Sequence, residues 1–181
     1  MTTRRSIVSL GICLALVAFV GVALAADKQE KADTSSLEGK PAPDLQLGTL
    51  DGKQFKLSGL KGKVVLMDYW ATWCPPCRES LPHINQISQD KSLADKGLMV
   101  FAINDKEQKA KVQDFVKQNN FSFTVPMDLQ GKFGQSYLVR GIPTTVLVGR
   151  DGNIKKVFIG FGEGSEKQIK EAIEDALKET V

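Results

Sequence analysis

The sequence predicts an α/β sandwich with a mixed central sheet, and three observations lead to this fold class. KVVLMDYW (63–70) and GLMVFAIN (97–104) are apolar on both faces, which is typical of buried central strands. A segment with helical spacing of apolar residues follows each of them. TTVLVGRDGNIKKVFIGF (144–161) predicts two antiparallel strands around an Asp-Gly turn, and a final amphipathic helix follows. This order of strands and helices predicts a layered fold.

Residues 1–26 have the three parts of a targeting segment. MTTRR is positively charged, residues 6–25 carry no charge, and an Ala-x-Ala site ends at Ala25. The uncharged stretch is also long enough to cross a bilayer as a helix. We expect a signal peptide or an N-terminal membrane anchor, and either would place the folded part outside the cytoplasm, in a periplasmic location.

The segment after the targeting sequence is expected to be a linker. Residues 27–39, DKQEKADTSSLEG, are charged and carry almost no apolar side chain, which is typical of a chain that does not fold on its own. One domain without internal repeats is then expected over 40–181. It opens with a predicted hairpin, because DLQLGTLDGKQFKL (44–57) has two short alternating stretches around Asp51-Gly52.

Three helices are predicted from the spacing of apolar residues. Pro82 lies inside the first helix and would kink it, because proline has no N–H to donate. The residues expected to face the core are Leu81, Ile84 and Ile87 in the first helix, Val112, Phe115 and Val116 in the second, and Ile169, Ala172, Ile173, Ala176 and Leu177 in the third.

The composition excludes several classes of protein. Lys and Arg total 24 against 21 Asp and Glu, a formal net charge of +3, so we expect no nucleic-acid partner, which would require a clustered basic face. Only three cysteines are present, and Cys13 lies in the apolar N-terminal stretch. A small domain stapled by disulfides and a zinc ribbon with two cysteine pairs are therefore excluded. We expect a monomer.

Cys74 and Cys77 form a C-x-x-C pair at the start of the first predicted helix. A thiol at a helix N-terminus has a lowered pKa, because unpaired backbone N–H groups and the helix dipole favour negative charge. Cys74 would therefore attack a substrate disulfide. Cys77, one turn later and more covered, would resolve the mixed disulfide by attacking Cys74.

Other uses of the cysteine pair are open at this stage. Zinc would need four ligands, and the chain after residue 26 adds only His83 to the two cysteines. Copper held by both thiolates and His83, in a non-enzymatic copper carrier, is the main alternative. A permanent structural disulfide would close a very short loop and remove little entropy from the unfolded chain. We expect no bound metal and no other cofactor.

Two residues outside the C-x-x-C pair bear on the redox interpretation. Asp68 lies in the middle of the otherwise apolar first strand, where burial of a carboxylate is costly and raises its pKa. It is a candidate proton acceptor for Cys77. Pro143 directly precedes the strand TVLV, where an ordinary trans proline and a cis bond are both compatible with the sequence.

These motifs together resemble those of the thioredoxin superfamily over about 40–177. DYWATWCPPC is similar to the superfamily's strand, Trp-Cys-x-x-Cys and helix start, with Asp68 six residues before Cys74, and RGIPTTVLVGRDGNI is similar to its cis-proline loop and hairpin. The resemblance implies a thioredoxin fold, which is a three-layer sandwich with a mixed central sheet, here with an extra N-terminal β-hairpin. It also implies a redox-active Cys74–Cys77 disulfide.

The same resemblance implies how a substrate would be bound. Pro143 would be cis and would face Cys74, and the backbone of Ile142 would be offered to a substrate peptide. From its position beside Cys74, Trp73 is expected to border an exposed apolar surface around the dithiol that substrates cover, and Pro75 and Pro76 are expected to contact the substrate there.

Within the superfamily, GKPAPDLQLGTLDGK and the exported N-terminus are similar to the TlpA/ResA type. Proteins of that type are extracytoplasmic, generally reducing, and often serve cytochrome c maturation. The resemblance implies disulfide-containing protein substrates, apocytochrome c among the candidates, and a membrane thiol protein as electron donor.

Three positions depart from the patterns of related proteins. Ser80 stands where TlpA/ResA proteins often carry Glu, which puts a role for the neighbouring Glu79 in doubt. Thr144 stands where the branch specialised for cytochrome c maturation has an acidic residue. The region before the cysteines also resembles peroxiredoxin-like proteins, but Ala71 stands where a thiol peroxidase has Thr, so a peroxidase is the less favoured alternative.

Pro75 and Pro76, the two residues between the cysteines, bear on the direction of the reaction. Neither has a backbone N–H, so two donors that could stabilise a Cys74 thiolate are missing. Because a stabilised thiolate makes a dithiol protein oxidising, the sequence predicts a protein-disulfide reductase rather than an oxidase.

Overall fold

A computed structural model describes residues 33–180 of the 181-residue chain. The predicted targeting segment and the first part of the predicted linker lie outside the described residues. Between residues 33 and 180, no helix is long and apolar enough to cross a membrane. The strands are β1 Gln46–Gly48, β2 Gln54–Lys56, β3 Val64–Trp70, β4 Leu98–Asp105, β5 Met127–Asp128, β6 Thr144–Val148 and β7 Ile154–Ile159. The helices are α1 Pro75–Gln89, α2 Lys91–Asp95, α3 Lys109–Gln118, α4 Lys132–Ser136 and α5 Ser165–Lys178.

The central sheet has the strand order β5-β4-β3-β6-β7 and is mixed. β3 and β4 run parallel, as do β4 and β5, whereas β6 is antiparallel to both β3 and β7. β1 and β2 form a separate antiparallel hairpin on the N-terminal side. The predicted fold class, including the mixed sheet and the extra hairpin, is confirmed.

β3 is the centre of the fold, and all seven of its residues are buried. Because side chains alternate along a strand, β3 contributes to two separate cores. Val64, Leu66 and Trp70 pack in a core with residues of α1, α3 and α5. Val65, Met67 and Tyr69 pack in a second core on the opposite face, with the hairpin and α4. The sheet is thus the middle layer of the sandwich.

The folded unit begins before Lys40, in the segment that the sequence predicts to be a linker. Thr34–Leu37 forms a 3₁₀ helix that Asp33 caps, and Thr34 is fully buried. The Glu38 carboxylate accepts a hydrogen bond from the backbone N–H of Val157 at 2.8 Å, which satisfies one N–H group of β7. Low average hydropathy therefore misplaced the boundary, because this segment is held by polar contacts to a strand edge and by the apolar residue Leu37, which packs against the core next to the hairpin.

Candidate active site

The C-x-x-C pair lies where β3 leads into α1. After β3 ends at Trp70, three residues connect it to Cys74, which is the N-cap of α1. Pro75 and Pro76 fill the first two helical positions, where the missing N–H groups cost no intrahelical hydrogen bond. Cys74 and Cys77 are joined in a disulfide with their Cα atoms 5.3 Å apart.

The Cys74 sulfur has two polar neighbours. It accepts a hydrogen bond from the backbone N–H of Cys77 at 3.2 Å, and it lies 3.6 Å from the carbonyl oxygen of Ile142. The sequence predicts that Cys77 is the more covered cysteine. In the disulfide form the two differ little, since Cys74 is 2% exposed and Cys77 is 0% exposed.

The residues implied to bind substrate surround this disulfide. The Ile142–Pro143 peptide bond is cis, Pro143 is buried and Ile142 is half-buried. Trp73 projects into solvent with 59% of its surface exposed. Trp73 and Ile142 line a groove of about 390 Å³, together with Tyr69, Asp105, Lys106, Gly131, Gly134, Gln135, Val139, Arg140 and Gly141.

Asp68 is fully buried at the middle of β3. It lies between Leu66 and Trp70 on the face of the strand that carries the core with both cysteines. Oδ1 accepts a hydrogen bond from the Thr145 hydroxyl at 2.7 Å, and Oδ2 has no hydrogen-bond partner among the described residues. Burial raises the pKa of Asp68 to about 6, against the opposing effect of the Thr145 hydrogen bond. The group can therefore gain or lose a proton near neutral pH.

Glu107 is a residue of this site that the sequence did not indicate. It follows β4, is 8% exposed, and accepts hydrogen bonds from both the backbone N–H and the hydroxyl of Thr72, each at 2.6 Å. Thr72 precedes Trp73 and Cys74, so this carboxylate holds the connection that leads into the cysteine pair. An acidic residue within a Lys-rich segment gave no signal of burial.

The geometry does not assemble a copper site around the cysteine pair. His83 Nδ1 lies 3.0 Å from Glu166 Oε2, and the His83 ring stacks on Phe161 with the centroids 5.5 Å apart. Among residues 33–180, no three His, Cys, Asp or Glu side chains are grouped closely enough to hold a metal ion. Glu79 is exposed, and the Ser80 hydroxyl donates to the Cys77 carbonyl at 3.0 Å.

A disulfide at the start of the helix that follows the central strand of a mixed sheet, with its Cys74 sulfur 3.6 Å from the carbonyl oxygen of Ile142 in the loop before β6, defines a thiol–disulfide oxidoreductase of the thioredoxin fold. The chain belongs to the Redoxin family, whose model matches residues 37–173. It is 34% identical over 161 residues to the thiol-disulfide oxidoreductase ResA of Bacillus subtilis (strain 168), covering 87% of this chain and 86% of ResA. It is also 34% identical over 148 residues to ResA of Bacillus anthracis, covering 81% of each chain.

Solved structures show the same fold. A crystal structure of a thiol:disulfide interchange protein of the thioredoxin family from Chlorobium tepidum TLS has a TM-score of 0.64 and 32% sequence identity, covering 76% of this chain and 95% of that one. The crystal structure of StoA from Bacillus subtilis has a TM-score of 0.62 and 28% identity, covering 72% of this chain and 96% of that one. The protein is thus a thiol–disulfide oxidoreductase of the TlpA/ResA type, which acts on protein disulfides.

Proposed function

We propose that this oxidoreductase reduces the disulfides of substrate proteins outside the cytoplasm. The observation that carries the proposal is the environment of the Cys74 sulfur. Pro75 and Pro76 offer no N–H groups in the first turn of α1, and the Ile142 carbonyl oxygen, which bears partial negative charge, lies 3.6 Å from the sulfur. A thiolate with few donors is high in energy, so the dithiol form gives up its electrons readily.

The reaction has two exchange steps. The Cys74 thiolate attacks one sulfur of the substrate disulfide, a mixed disulfide forms, and the other substrate sulfur leaves as a thiolate. Cys77 then loses its proton and attacks the Cys74 sulfur, which releases the second substrate thiolate and closes the Cys74–Cys77 bond. The substrate gains two electrons, and the protein is left with the disulfide present in the structure. A dithiol donor has to reduce this disulfide before the next cycle.

Asp68 is proposed to accept the proton that Cys77 loses. Its burial in the same core as Cys77, and its pKa of about 6, support this role, because a carboxylate of that pKa is mostly ionised at neutral pH yet accepts a proton readily. Oδ2, which has no hydrogen-bond partner within residues 33–180, is available for the transferred proton.

The location and partners of the protein are part of the proposal. The predicted targeting segment at residues 1–26 supports export, either with cleavage or with retention as an anchor. The resemblance to TlpA/ResA proteins supports a membrane thiol protein as electron donor and makes apocytochrome c a candidate substrate. Thr144, whose hydroxyl donates to the Gly141 carbonyl at 2.7 Å, argues against a site dedicated to apocytochrome c. We propose that the protein acts as a monomer.

Turnover in both directions tests the proposed activity. The full chain, purified in detergent, is reduced and mixed with a peptide disulfide, or oxidised and mixed with a peptide dithiol. Reduction of the peptide disulfide is expected to go further toward completion than oxidation of the peptide dithiol. Cys74→Ser is expected to abolish both reactions. Cys13→Ser is the matched control, since it removes a cysteine outside the pair. Preferential oxidation of the dithiol would contradict the proposal.

Export is tested separately from activity. A reporter enzyme that folds only outside the cytoplasm is fused after residue 181, and the same fusion is made to a chain lacking residues 1–26. The proposal predicts reporter activity with the complete chain and a loss of that activity with the shortened one. Equal reporter activity from the two chains would contradict an exporting role for the segment.

A further inference from the structure

Glu107 is a buried carboxylate that the exchange steps do not use. Its two oxygens are each approached by two donors. Oε2 accepts from the Thr72 backbone N–H at 2.6 Å and from Asn104 Nδ2 at 3.0 Å. Oε1 accepts from the Thr72 hydroxyl at 2.6 Å and lies 2.7 Å from Lys111 Nζ. The carboxylate is therefore fully partnered, and Thr72 supplies two of its four donors.

Thr72 is also held from its other side. Its carbonyl oxygen accepts a hydrogen bond from Arg78 Nε at 2.8 Å, so the residue is fixed by the end of β4 through Glu107 and by α1 through Arg78. Thr72 is 3% exposed, whereas the next residue, Trp73, is 59% exposed. A largely exposed side chain makes few contacts of its own, so the orientation of Trp73 depends on the backbone before it.

We propose that Glu107 is a positioning residue for thiol–disulfide exchange, which fixes Thr72 and thereby orients Trp73 and Cys74 toward a substrate disulfide. The inference rests on exchange at Cys74 and holds whether the protein reduces or oxidises its substrates. Small displacements of a reacting group from its productive geometry are costly in rate, which is why a buried polar clamp at this connection matters for function.

The arrangement favours a carboxylate over an amide. Burial acts to raise the pKa of Glu107, but the hydrogen bonds from Lys111, Thr72 and Asn104 outweigh it and hold the pKa below its usual value. The group is thus ionised at neutral pH and accepts at both oxygens. A glutamine whose amide N–H₂ took the place of Oε2 would face the Thr72 N–H with a donor, even if the Asn104 amide flipped. A glutamine turned the other way could donate to the Thr72 hydroxyl, which can also accept, but it would lose the ion pair with Lys111.

The test measures the first exchange step alone. In a full-length Cys77→Ser background, the rate of mixed-disulfide formation with a peptide disulfide is recorded against pH, at a temperature where unfolding curves show each variant folded. Glu107→Gln is expected to lower the limiting rate at high pH by about tenfold, because Cys74 is then fully ionised and only its orientation has changed. Glu171→Gln, on the exposed face of α5, is the matched control for the loss of one negative charge. A folded Glu107→Gln variant with the wild-type limiting rate would overturn the proposal.

A second pair of variants probes the other end of the same contact. Thr72→Val removes the hydroxyl that donates to Glu107 and is expected to slow the step by about threefold, while Thr72→Ser, which keeps the hydroxyl, restores the rate. Equal rates for these two variants would overturn the proposal. A further measurement, amide hydrogen exchange, is made on the unaltered protein and therefore does not depend on whether any variant folds. Slow exchange of the Thr72 N–H in both redox states is expected, and fast exchange in either state would overturn the proposal.

Discussion

Replacing Asp68 with asparagine is expected to remove a pH-dependent loss of stability from the oxidised protein. Asp68 is fully buried, and the Thr145 hydroxyl at 2.7 Å is the hydrogen-bond donor to its Oδ1. Ionising the carboxyl in this environment is costly because no cation and no second donor are within hydrogen-bond distance of Oδ2 among the described residues. Asparagine keeps the size of the side chain and can accept from Thr145, but it does not ionise.

The magnitude follows from the pKa. Burial raises the pKa of Asp68 to about 6 from 3.8, which corresponds to about 3 kcal/mol of unfolding free energy. Since the folded pKa is raised above the unfolded one, this stability is fully present below pH 3.8 and is lost as the pH rises through about 6. The asparagine N–H that replaces Oδ2 adds a cost of about 1–3 kcal/mol, which does not depend on pH.

Denaturant unfolding of oxidised wild type and Asp68→Asn between pH 4 and pH 8 measures this effect. The stability difference between the two proteins is expected to shift in favour of the variant by about 2 kcal/mol across that range, because part of the loss has already occurred at pH 4, and most of the shift is complete by about pH 6.5. Asp175→Asn, whose side chain is 75% exposed, is the matched control and should show no such shift. A wild type and variant whose stability difference stays constant with pH would refute the reasoning, because Asp68 would then ionise in the folded protein as easily as in the unfolded chain.

The remaining predictions concern the exchange reaction. Cys77→Ser is expected to accumulate a mixed disulfide between Cys74 and a substrate protein on non-reducing gels, and a failure to accumulate it would argue against Cys74 as the attacking residue. Trp73→Ala should lower kcat/KM for a protein disulfide by about tenfold while changing the unfolding free energy by less than about 1 kcal/mol, since the side chain is mostly exposed. Thr145→Val removes the hydrogen bond that lowers the pKa of Asp68, so the pH profile of the resolving step should move to higher pH. A pH profile that does not move in this variant would show that Asp68 takes no part in the resolving step.

The sequence predicted the parts of the fold that rest on long apolar patterns. The continuous apolar run of β3 placed it at the centre of the sheet, and the spacing of Leu81, Ile84 and Ile87 identified the buried face of α1, where all three are buried. The Asp51-Gly52 pair lies in the turn that joins β1 to β2. These features are local, so a short window of sequence contains the physical reason for each.

Very short helices and contacts between distant segments could not be predicted in this way. α2 and α4 each have five residues, which is too short for an apolar period to be visible. Glu107 and Thr72 are 35 positions apart and meet only because β3 and β4 run parallel and end at the same edge of the sheet. Glu38 finds its partner on β7 in the same manner. Polar contacts of this kind depend on the finished fold, and hydropathy alone gives no signal of them.

The central claim is that this oxidoreductase is built as a reductant. Its most direct test is the equilibrium redox potential of the Cys74–Cys77 pair. The full chain, titrated against dithiothreitol or glutathione, is expected to have a potential below about −200 mV. Pro76→Ala, which adds an N–H to the first turn of α1, should raise the potential, while Pro82→Ala in the same helix should leave it unchanged. A wild-type potential near the value of about −120 mV that is typical of a strong disulfide oxidant would contradict the account.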